Sequence, residues 1–285
     1  MRIDGATELV GIIGYPIDYT LSPVIHNAAF RRLDMNWLYI PLRVPPGEVG
    51  QAIGGLRALG FRGANVTIPH KVDAVRFLDE TRGEAGLLET VNTIVLENGK
   101  LIGYNTDVQG FKGFLRESGV GVRGASALLV GAGGASRAIA LALAGEGASK
   151  LFIMNRTPER AWELAALLKR ATPHSEISIR AFDFEGSQVM SECDMVINCT
   201  PLANADRDEL PLDYNRFREG QWAMDLNYAR RSTAFLEEAS ARGAKTASGE
   251  GMLIHQAAAS FNLWTGEVPP LEEMRKALSK AVSGD

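Results

Sequence analysis

The sequence predicts an α/β protein of two domains, and two observations carry this fold class. The first hundred residues alternate short apolar runs of strand type with helical stretches. A second such series begins with the apolar run 128–130, which breaks into glycines before a helix rich in alanine and leucine. Strands that alternate with helices form parallel sheets through right-handed crossovers.

The predicted N-terminal domain opens with strands and helices in alternation. Ser22 and Pro23 mark a helix start, with serine as the N-cap and proline at the first helical position. In the next helix Val49, Ile53 and Leu56 recur with helical spacing. The predicted elements are strands at 8–14, 37–44 and 63–68 and helices at 22–30 and 46–59.

A β-hairpin follows, because Asn98-Gly99 is the preferred two-residue turn and apolar runs flank it at 91–96 and 101–104. Its antiparallel strands make the first sheet mixed. Asp107 then begins a helix that leads into a glycine-rich link.

The second series of elements forms the other domain. Its predicted strands are 127–130, 150–155, 177–181, 195–199 and 222–225, with a helix that starts at Thr157-Pro158 and ends at 170. Helices at 252–264 and 271–282 follow this unit after its strands are complete, so we expect them to pack on the N-terminal domain. The predicted domains are 1–107 plus 245–285 and 108–244, with a cleft between them.

Composition narrows the class of protein. The chain has 285 residues, is 46% hydrophobic and carries a net charge of −4, with no basic stripe for nucleic acid. No apolar run approaches the length of a membrane span, and the first residues lack signal-peptide features. Two cysteines and four scattered histidines give neither a disulfide framework nor a metal-ligand spacing. We expect a cytoplasmic, metal-free protein.

The glycine-rich turn after the run 128–130 is typical of a Rossmann-type dinucleotide site. Glycines let the backbone approach a pyrophosphate, and free N–H groups of the following helix face its negative charge. A tight strand-to-helix turn needs glycine in any case, so the motif alone is weak. The residues of this turn are Gly131, Ala132, Gly133, Gly134 and Ala135.

The end of the next strand indicates which dinucleotide is bound. NAD-binding units usually place an acidic residue there, whereas this chain has Asn155-Arg156, with Arg160 nearby. Guanidinium groups pair with a 2′-phosphate that a carboxylate would repel. The sequence therefore predicts NADP, the alternative being a surface arginine at a strand edge.

Polar clusters stand at strand ends in the first domain. Thr20 and Ser22 lie at a helix start, where a bound anion is favoured. Ser22 is also compatible with a purely structural role as the helix N-cap. Asn65 and Thr67 share one face at the end of a strand, and Lys71 follows in the next turn. Lys71 is also compatible with a solvated surface lysine.

Asn92 and Asp107 complete the set, although Asp107 also suits a helix N-cap. A hydroxyl-rich pocket that holds one lysine and one aspartate suits alcohol–ketone redox of a hydroxylated acid. Hydroxyl groups bind hydroxyl groups, a helix end binds a carboxylate, and the charged pair handles the proton that accompanies hydride.

Seven segments resemble the shikimate dehydrogenase family in order and spacing. They are GYPIDYTLSPVIHN, NVTIPHK, ETVNTI, GYNTD, GAGGASRA, NRTPER and GMLIHQAAASF. The resemblance covers essentially the whole chain. It implies an NADP-dependent, reversible reduction of 3-dehydroshikimate to shikimate in aromatic amino-acid biosynthesis, on a two-domain fold with a substrate domain and a Rossmann-type domain.

The resemblance also implies roles for residues. Lys71 and Asp107 match the catalytic pair. The positions that match substrate-binding groups are Thr20, Ser22, Asn65, Thr67, Asn92, Tyr228 and Gln256. The positions assigned to the cofactor are Gly131, Ala132, Gly133, Gly134, Ala135, Asn155, Arg156, Thr157, Arg160 and Gly249. Which member of the Lys71/Asp107 pair donates the proton stays open, as does the oligomeric state, a homodimer included.

Three alternatives remain. The family usually has His-Ser where this chain has Tyr19-Thr20, and the added methyl at the carboxylate site leaves open a quinate or dual quinate/shikimate dehydrogenase. A binding protein that senses NADP or shikimate without catalysis would be expected to lack Lys71 or Asp107. A folate-linked dehydrogenase has no support from the segments NVTIPHK and GYNTD.

Overall fold

The computed structural model describes residues 3–200, 210–228 and 232–283. Over these residues the fold is α/β, as predicted, and the chain divides into two compact units. The first unit comprises the described residues up to Gly110 and from Leu253 onward, and the second runs from Phe111 to Met252. Each unit contains a six-stranded sheet.

The first sheet is mixed, with strand order β2-β1-β3-β5-β6-β4. Strand β1 is parallel to β2 and β3, whereas β5 is antiparallel to β3 and β6. The elements are β1 (Glu8–Gly14), α1 (Ser22–Arg32), β2 (Trp37–Arg43), α2 (Val49–Ala58), β3 (Gly63–Val66), β4 (Glu80–Thr81), α3 (Glu84–Leu88), β5 (Thr93–Glu97), β6 (Lys100–Tyr104) and α4 (Asp107–Glu117).

The C-terminal helices are α8 (Glu250–Thr265) and α9 (Leu271–Ser283). Helix α9 packs against α1, and the indole of Trp264 on α8 donates to the Ile94 carbonyl of β5 at 2.9 Å. Both contacts lie within the first unit. The apolar residues of that unit form a core that includes Ile13, Ile53 and Ile94.

The hairpin prediction is confirmed. Strands β5 and β6 pair antiparallel, and Asn98 and Gly99 between them have φ angles of +51° and +76°. Two consecutive residues in the left-handed region are what a type I′ turn requires, and asparagine and glycine adopt this region at low cost.

Two helix starts differ from their predictions. Leu21, not Ser22, is the N-cap of α1, so Ser22 and Pro23 lie in the first turn and no side chain caps the helix. Helix α2 begins at Val49 rather than residue 46, because Gly47 has φ +91°, outside the helical region. Serine and proline are common near helix starts, but the backbone conformation of the preceding turn determines which residue is the first in the helix.

The second sheet is entirely parallel, with order β12-β11-β10-β7-β8-β9. This order is the doubly wound arrangement of Rossmann-type domains, as predicted. The elements are β7 (Ser126–Val130), α5 (Gly134–Gly145), β8 (Lys150–Met154), α6 (Pro158–Ala171), β9 (Glu176–Arg180), β10 (Met195–Asn198), β11 (Trp222–Asp225), α7 (Ala234–Ala241) and β12 (Lys245–Ser248).

The predicted domain boundary at 244/245 differs from the position of β12. This strand pairs with β11 along its whole length, so residues 245–248 complete the second sheet rather than join the first domain. Its residues are exposed or half-buried and include no apolar run, so no strand pattern is visible there in the sequence.

Candidate active site

The topology of the first sheet brings the predicted polar clusters to one edge. Strand β3 is antiparallel to β5, and β5 is antiparallel to β6, so the end of β3 meets the start of β5 and the end of β6. Lys71 follows β3, Asn92 precedes β5, and Asp107 follows β6.

Lys71 and Asp107 form a direct ion pair. The Lys71 Nζ lies 2.6 Å from Asp107 Oδ2, and the two side chains are only 15% and 6% exposed. Asn92 Nδ2 donates to the other oxygen, Oδ1, at 2.8 Å. Asp107 is the first residue of α4 rather than the N-cap before it, and its N–H donates to the Asn105 side chain at 3.1 Å. The carboxylate is therefore directed at Lys71 and Asn92.

His70 anchors the turn that carries Lys71. Its ring is buried, and Nε2 lies 2.7 Å from the carbonyl oxygen of Val44, just past the end of β2. The Lys71 carbonyl accepts the Val91 N–H at 2.9 Å. The first bond holds the residue before Lys71 and the second holds the Lys71 carbonyl itself. The backbone from which the lysine side chain extends is therefore fixed in place. The sequence did not assign a role to His70, although it stands inside the segment NVTIPHK.

Asn65 and Asn92 lie together and are both buried. The Asn65 Oδ1 accepts the Tyr39 hydroxyl at 2.8 Å, and its Nδ2 lies 3.0 Å from the Asn92 carbonyl oxygen. The Asn92 Oδ1 accepts the Thr106 N–H at 2.7 Å. Both amides therefore have hydrogen-bond partners within the chain. Together with these partners they form a fixed, buried polar side of the site, which we call the polar wall.

Thr20 lies in the loop after β1, Ser22 is the first residue of α1, and Thr67 directly follows β3, the parallel neighbour of β1. The Ser22 N–H donates weakly to Thr20 Oγ1 at 3.4 Å. Thr67 packs so closely on Gly14 that a Cβ there would lie 2.4 Å from its methyl carbon. These residues are thus near the edge that carries Lys71, with Thr20 and Thr67 half-buried and Ser22 buried.

Gln256 comes from α8 and lies beside α4. A Cβ at Gly110 would be 2.6 Å from the Gln256 Cβ, so glycine allows the two helices to approach closely. The Gln256 Nε2 donates to the Leu253 carbonyl at 3.0 Å. Since Gly110 lies one turn beyond Asp107, Gln256 is adjacent to the Lys71/Asp107 region.

The glycine turn of the second unit has the features that a dinucleotide pyrophosphate needs. Gly131 has φ +112°, and its N–H donates to the Met154 carbonyl at 2.7 Å. Helix α5 begins at Gly134 with Gly133 as N-cap, so no side chain caps its first turn. The turn residues from Gly131 to Ala135 therefore fit a bound diphosphate at a helix N-terminus.

The cluster after β8 divides into structural and exposed residues. The Asn155 side chain accepts the Ala132 N–H at 3.0 Å and donates to the Thr157 carbonyl at 2.8 Å, so it braces the glycine turn. Helix α6 begins at Pro158, as the Thr157-Pro158 pair predicted, and Thr157 is its N-cap, although the threonine hydroxyl makes no capping bond. Arg156 and Arg160 are exposed, and neither forms an ion pair within the described part of the chain.

Gly249 lies where the strands β11 and β12 end. A Cβ at this position would be 2.1 Å from the Leu226 carbonyl oxygen, so only glycine fits the close approach of these two loops. Tyr228 is two residues beyond Leu226 and is half-buried. Ligands of doubly wound sheets bind at this carboxyl edge, which Gly131 and Asn155 also occupy.

Sequence reasoning missed Asp225, which organises the same edge. Its fully buried carboxylate accepts from Asn198 Nδ2 at 3.1 Å, Asn227 Nδ2 at 2.6 Å and the Thr233 hydroxyl at 2.8 Å. Burial raises the pKa of the Asp225 carboxyl, although its hydrogen bonds oppose this shift. The one available signal was an aspartate at the end of a buried strand.

The described residues also bear on other kinds of site. Over 3–200, 210–228 and 232–283, no group of three or more His, Cys, Asp or Glu side chains could hold a metal ion. In the same ranges none of the helices combines the length and apolar character needed to cross a bilayer.

Comparisons with known proteins cover both units. Residues 12–94 match the family model of the shikimate dehydrogenase substrate binding domain, residues 115–205 that of shikimate/quinate 5-dehydrogenase, and residues 249–278 that of the shikimate 5′-dehydrogenase C-terminal domain. The shikimate dehydrogenase (NADP(+)) of Moorella thermoacetica is 43% identical over 283 residues, which is 99% of this chain and 96% of that protein.

Solved structures give the same correspondence. A shikimate dehydrogenase in complex with NADP+ superposes with a TM-score of 0.88 at 37% identity, over 99% of this chain and 98% of that one. The quinate dehydrogenase of Corynebacterium glutamicum, in complex with NAD, also has a TM-score of 0.88, at 30% identity and over 96% and 99% of the two chains.

Proposed function

This chain belongs to the shikimate dehydrogenase family, and from that premise we propose that it catalyses the NADP-dependent, reversible reduction of 3-dehydroshikimate to shikimate. The observation that carries the proposal is the largely shielded Lys71–Asp107 ion pair at 2.6 Å. A binding protein without catalysis would have no need to keep a lysine and an aspartate paired at a polar edge.

The pair handles the proton of the reaction. Reduction of a ketone to an alcohol adds a hydride to the carbonyl carbon and a proton to its oxygen, and oxidation removes both. Lys71 Nζ and Asp107 Oδ2 share a proton-bearing contact, so either atom can pass a proton to the carbonyl oxygen while the other balances the charge. Asn92 holds Asp107 Oδ1 and so sets the direction of the carboxylate.

The neighbouring polar residues bind the substrate. Thr20 and Ser22, at the start of α1, bind its carboxylate, since the first helical turn offers N–H groups and a favourable dipole. Thr67 and Gln256 bind the ring hydroxyls, and Asn65 and Asn92, whose amide groups already have protein partners, shape that side of the site.

The second unit binds NADP. The residues from Gly131 to Ala135 hold the pyrophosphate, Asn155 and Thr157 shape the adenosine site, and Gly249 keeps the neighbouring loops close together. Arg156, just after β8, and Arg160, in the first turn of α6, are both exposed and pair with the 2′-phosphate. When bound, the reduced nicotinamide supplies the hydride.

The test is the rate of NADPH formation by the purified protein with shikimate and NADP, with quinate and NAD in parallel. We expect turnover with shikimate and NADP to exceed that of the other three combinations. Equal or faster turnover with quinate would mean that Thr20 has shifted the substrate range toward the quinate enzymes. Absence of turnover with all four combinations would contradict the proposed function.

A further inference from the structure

Ser260 of α8 reaches into the polar wall beside the Lys71–Asp107 pair. It is fully buried, and its hydroxyl lies 3.0 Å from the Asn65 Nδ2. It also lies 2.8 Å from the Thr93 hydroxyl and 3.0 Å from the Thr106 hydroxyl. One side chain from the C-terminal helix therefore contacts groups beside β3, β5 and the start of α4.

The directions of these hydrogen bonds follow from the donors available. Asn92 Nδ2 has two hydrogens, which reach Asp107 Oδ1 at 2.8 Å and the Thr106 hydroxyl oxygen at 2.9 Å. The Thr106 hydroxyl, which accepts this bond, can donate its own hydrogen to Ser260 Oγ at 3.0 Å or to Asn92 Oδ1 at 3.2 Å, and the contact with Ser260 is the shorter one. The Thr93 hydroxyl donates to Asn92 Oδ1 at 3.0 Å, which leaves its oxygen as an acceptor for Ser260.

When the Ser260 hydroxyl donates its one hydrogen to Thr93 rather than to the Gln256 carbonyl of its own helix, these bonds form a closed ring in which each group donates to the next. It runs from Asn92 Nδ2 to Thr106, from Thr106 to Ser260, from Ser260 to Thr93, and from Thr93 back to Asn92 Oδ1. A ring of this kind fixes both ends of the Asn92 amide. Its oxygen cannot exchange places with its nitrogen without breaking the ring.

We propose that Ser260 is a positioning residue that closes this ring and thereby keeps Asn92 Nδ2 aimed at Asp107. The proposal rests on the proposed function, because it assigns Ser260 a role in orienting the proton-handling pair. Ser260 forms no hydrogen bond with the side chain of Lys71 or Asp107. Its effect passes through the Asn92 amide, whose Nδ2 makes the second bond to the Asp107 carboxylate.

The hydroxyl also has an alternative that concerns structure alone. Ser260 Oγ lies 3.0 Å from the Gln256 carbonyl of its own helix, a bond that buried helical serines often make. If this bond were its main role, loss of the hydroxyl would change the stability of the protein and leave the chemistry of the folded enzyme unchanged. The two roles therefore predict different kinetics.

The experiment compares Ser260→Ala, Thr106→Val and the double variant, with shikimate and NADP as substrates. Thr106→Val opens the ring from another member with a side chain of similar shape. Thr265→Ala is the matched control, because Thr265 makes the same bond to the carbonyl four residues earlier on α8. All kinetics are measured well below the unfolding temperature of each variant.

We expect each single variant to lower kcat about tenfold, since a small misalignment of a reacting group has effects of this order or larger. The KM for NADP, and both constants of Thr265→Ala, should change less than twofold. The double variant should lose no more than the more impaired single variant, because one broken link already opens the ring.

Three results would overturn the proposal in different ways. If kcat stays within twofold of the wild type in both single variants, Ser260 has no positioning role. If the losses multiply in the double variant, the two hydroxyls act separately and there is no ring. If the wild type itself does not turn over shikimate, the proposed function has failed and the Ser260 proposal falls with it.

Discussion

The imidazole of His26 lies stacked on the ring of Tyr39, with 4.4 Å between ring centroids and 6° between planes. Phe30 and Trp264 also border the imidazole, and within the described residues neither of its nitrogens has a hydrogen-bond partner. The Tyr39 hydroxyl in turn donates to Asn65. His26 therefore packs against the ring that orients Asn65.

This environment predicts that His26 makes the protein sensitive to acid. Complete burial lowers the pKa of His26 from 6.5 to about 3. At a pH between these two pKa values, His26 is protonated in the unfolded chain but neutral in the folded one. The free energy of unfolding therefore falls as the pH falls below 6.5. The loss from this one group is roughly 1 kcal/mol for each pH unit.

The variant His26→Phe should remove this contribution, because phenylalanine fills a similar space and does not titrate. Urea unfolding at several pH values between 4 and 7 should show a shallower loss of stability toward acid than in the wild type. The exposed His174, changed to Gln, is the control and should follow the wild type. Equal slopes for His26→Phe and the wild type would contradict the prediction.

Lys71→Ala should lower kcat by a factor of roughly 10² to 10⁴, the usual contribution of a general acid or base. The KM for shikimate should change less, since other groups bind the substrate. Lys112→Ala is a suitable control, because Lys112 also faces a carboxylate, Glu146, at 3.4 Å. An unchanged kcat in Lys71→Ala would remove Lys71 from the proton transfer.

Local patterns predicted the parts of the fold that depend on local chemistry. The Asn98-Gly99 turn and the glycine turn at Gly131 need backbone angles that few other residues adopt, so their sequence is diagnostic. Short or polar elements escaped prediction. Strand β4 has two residues and α3 has five, too few to show a periodicity.

The predicted site residues Lys71, Asn92 and Asp107 do come together, because each stands at the end of an element that the sequence marks clearly. The residues that orient them could not be predicted in the same way. Ser260 meets Asn65 across 195 positions of sequence, and only the fold shows this contact. Asp225 likewise gains its importance from donors on three segments that converge on it.

Arg156→Ala should weaken the preference for NADP over NAD. Loss of a charged hydrogen bond to a 2′-phosphate costs roughly 1.5–3 kcal/mol, so kcat/KM for NADP should fall about 10- to 100-fold. The value for NAD should stay within about twofold, since NAD has no 2′-phosphate. Arg170→Ala, at the exposed far end of α6, should leave both values unchanged. An equal loss of kcat/KM with NADP and with NAD would mean that Arg156 does not bind the 2′-phosphate.

Gly249→Ala should distort the carboxyl edge of the second sheet, where we propose that NADP binds. The new Cβ would lie 2.1 Å from the Leu226 carbonyl oxygen, and both partners are backbone, so one of the two loops must move. We expect the free energy of unfolding to fall by roughly 1–3 kcal/mol, the usual cost of overpacking, and the KM for NADP to rise. Gly121→Ala is the matched control, since a Cβ there meets no atom within 4 Å. If the two variants unfold at the same urea concentration and have the same KM for NADP, the close approach of these loops is not required for either stability or cofactor binding.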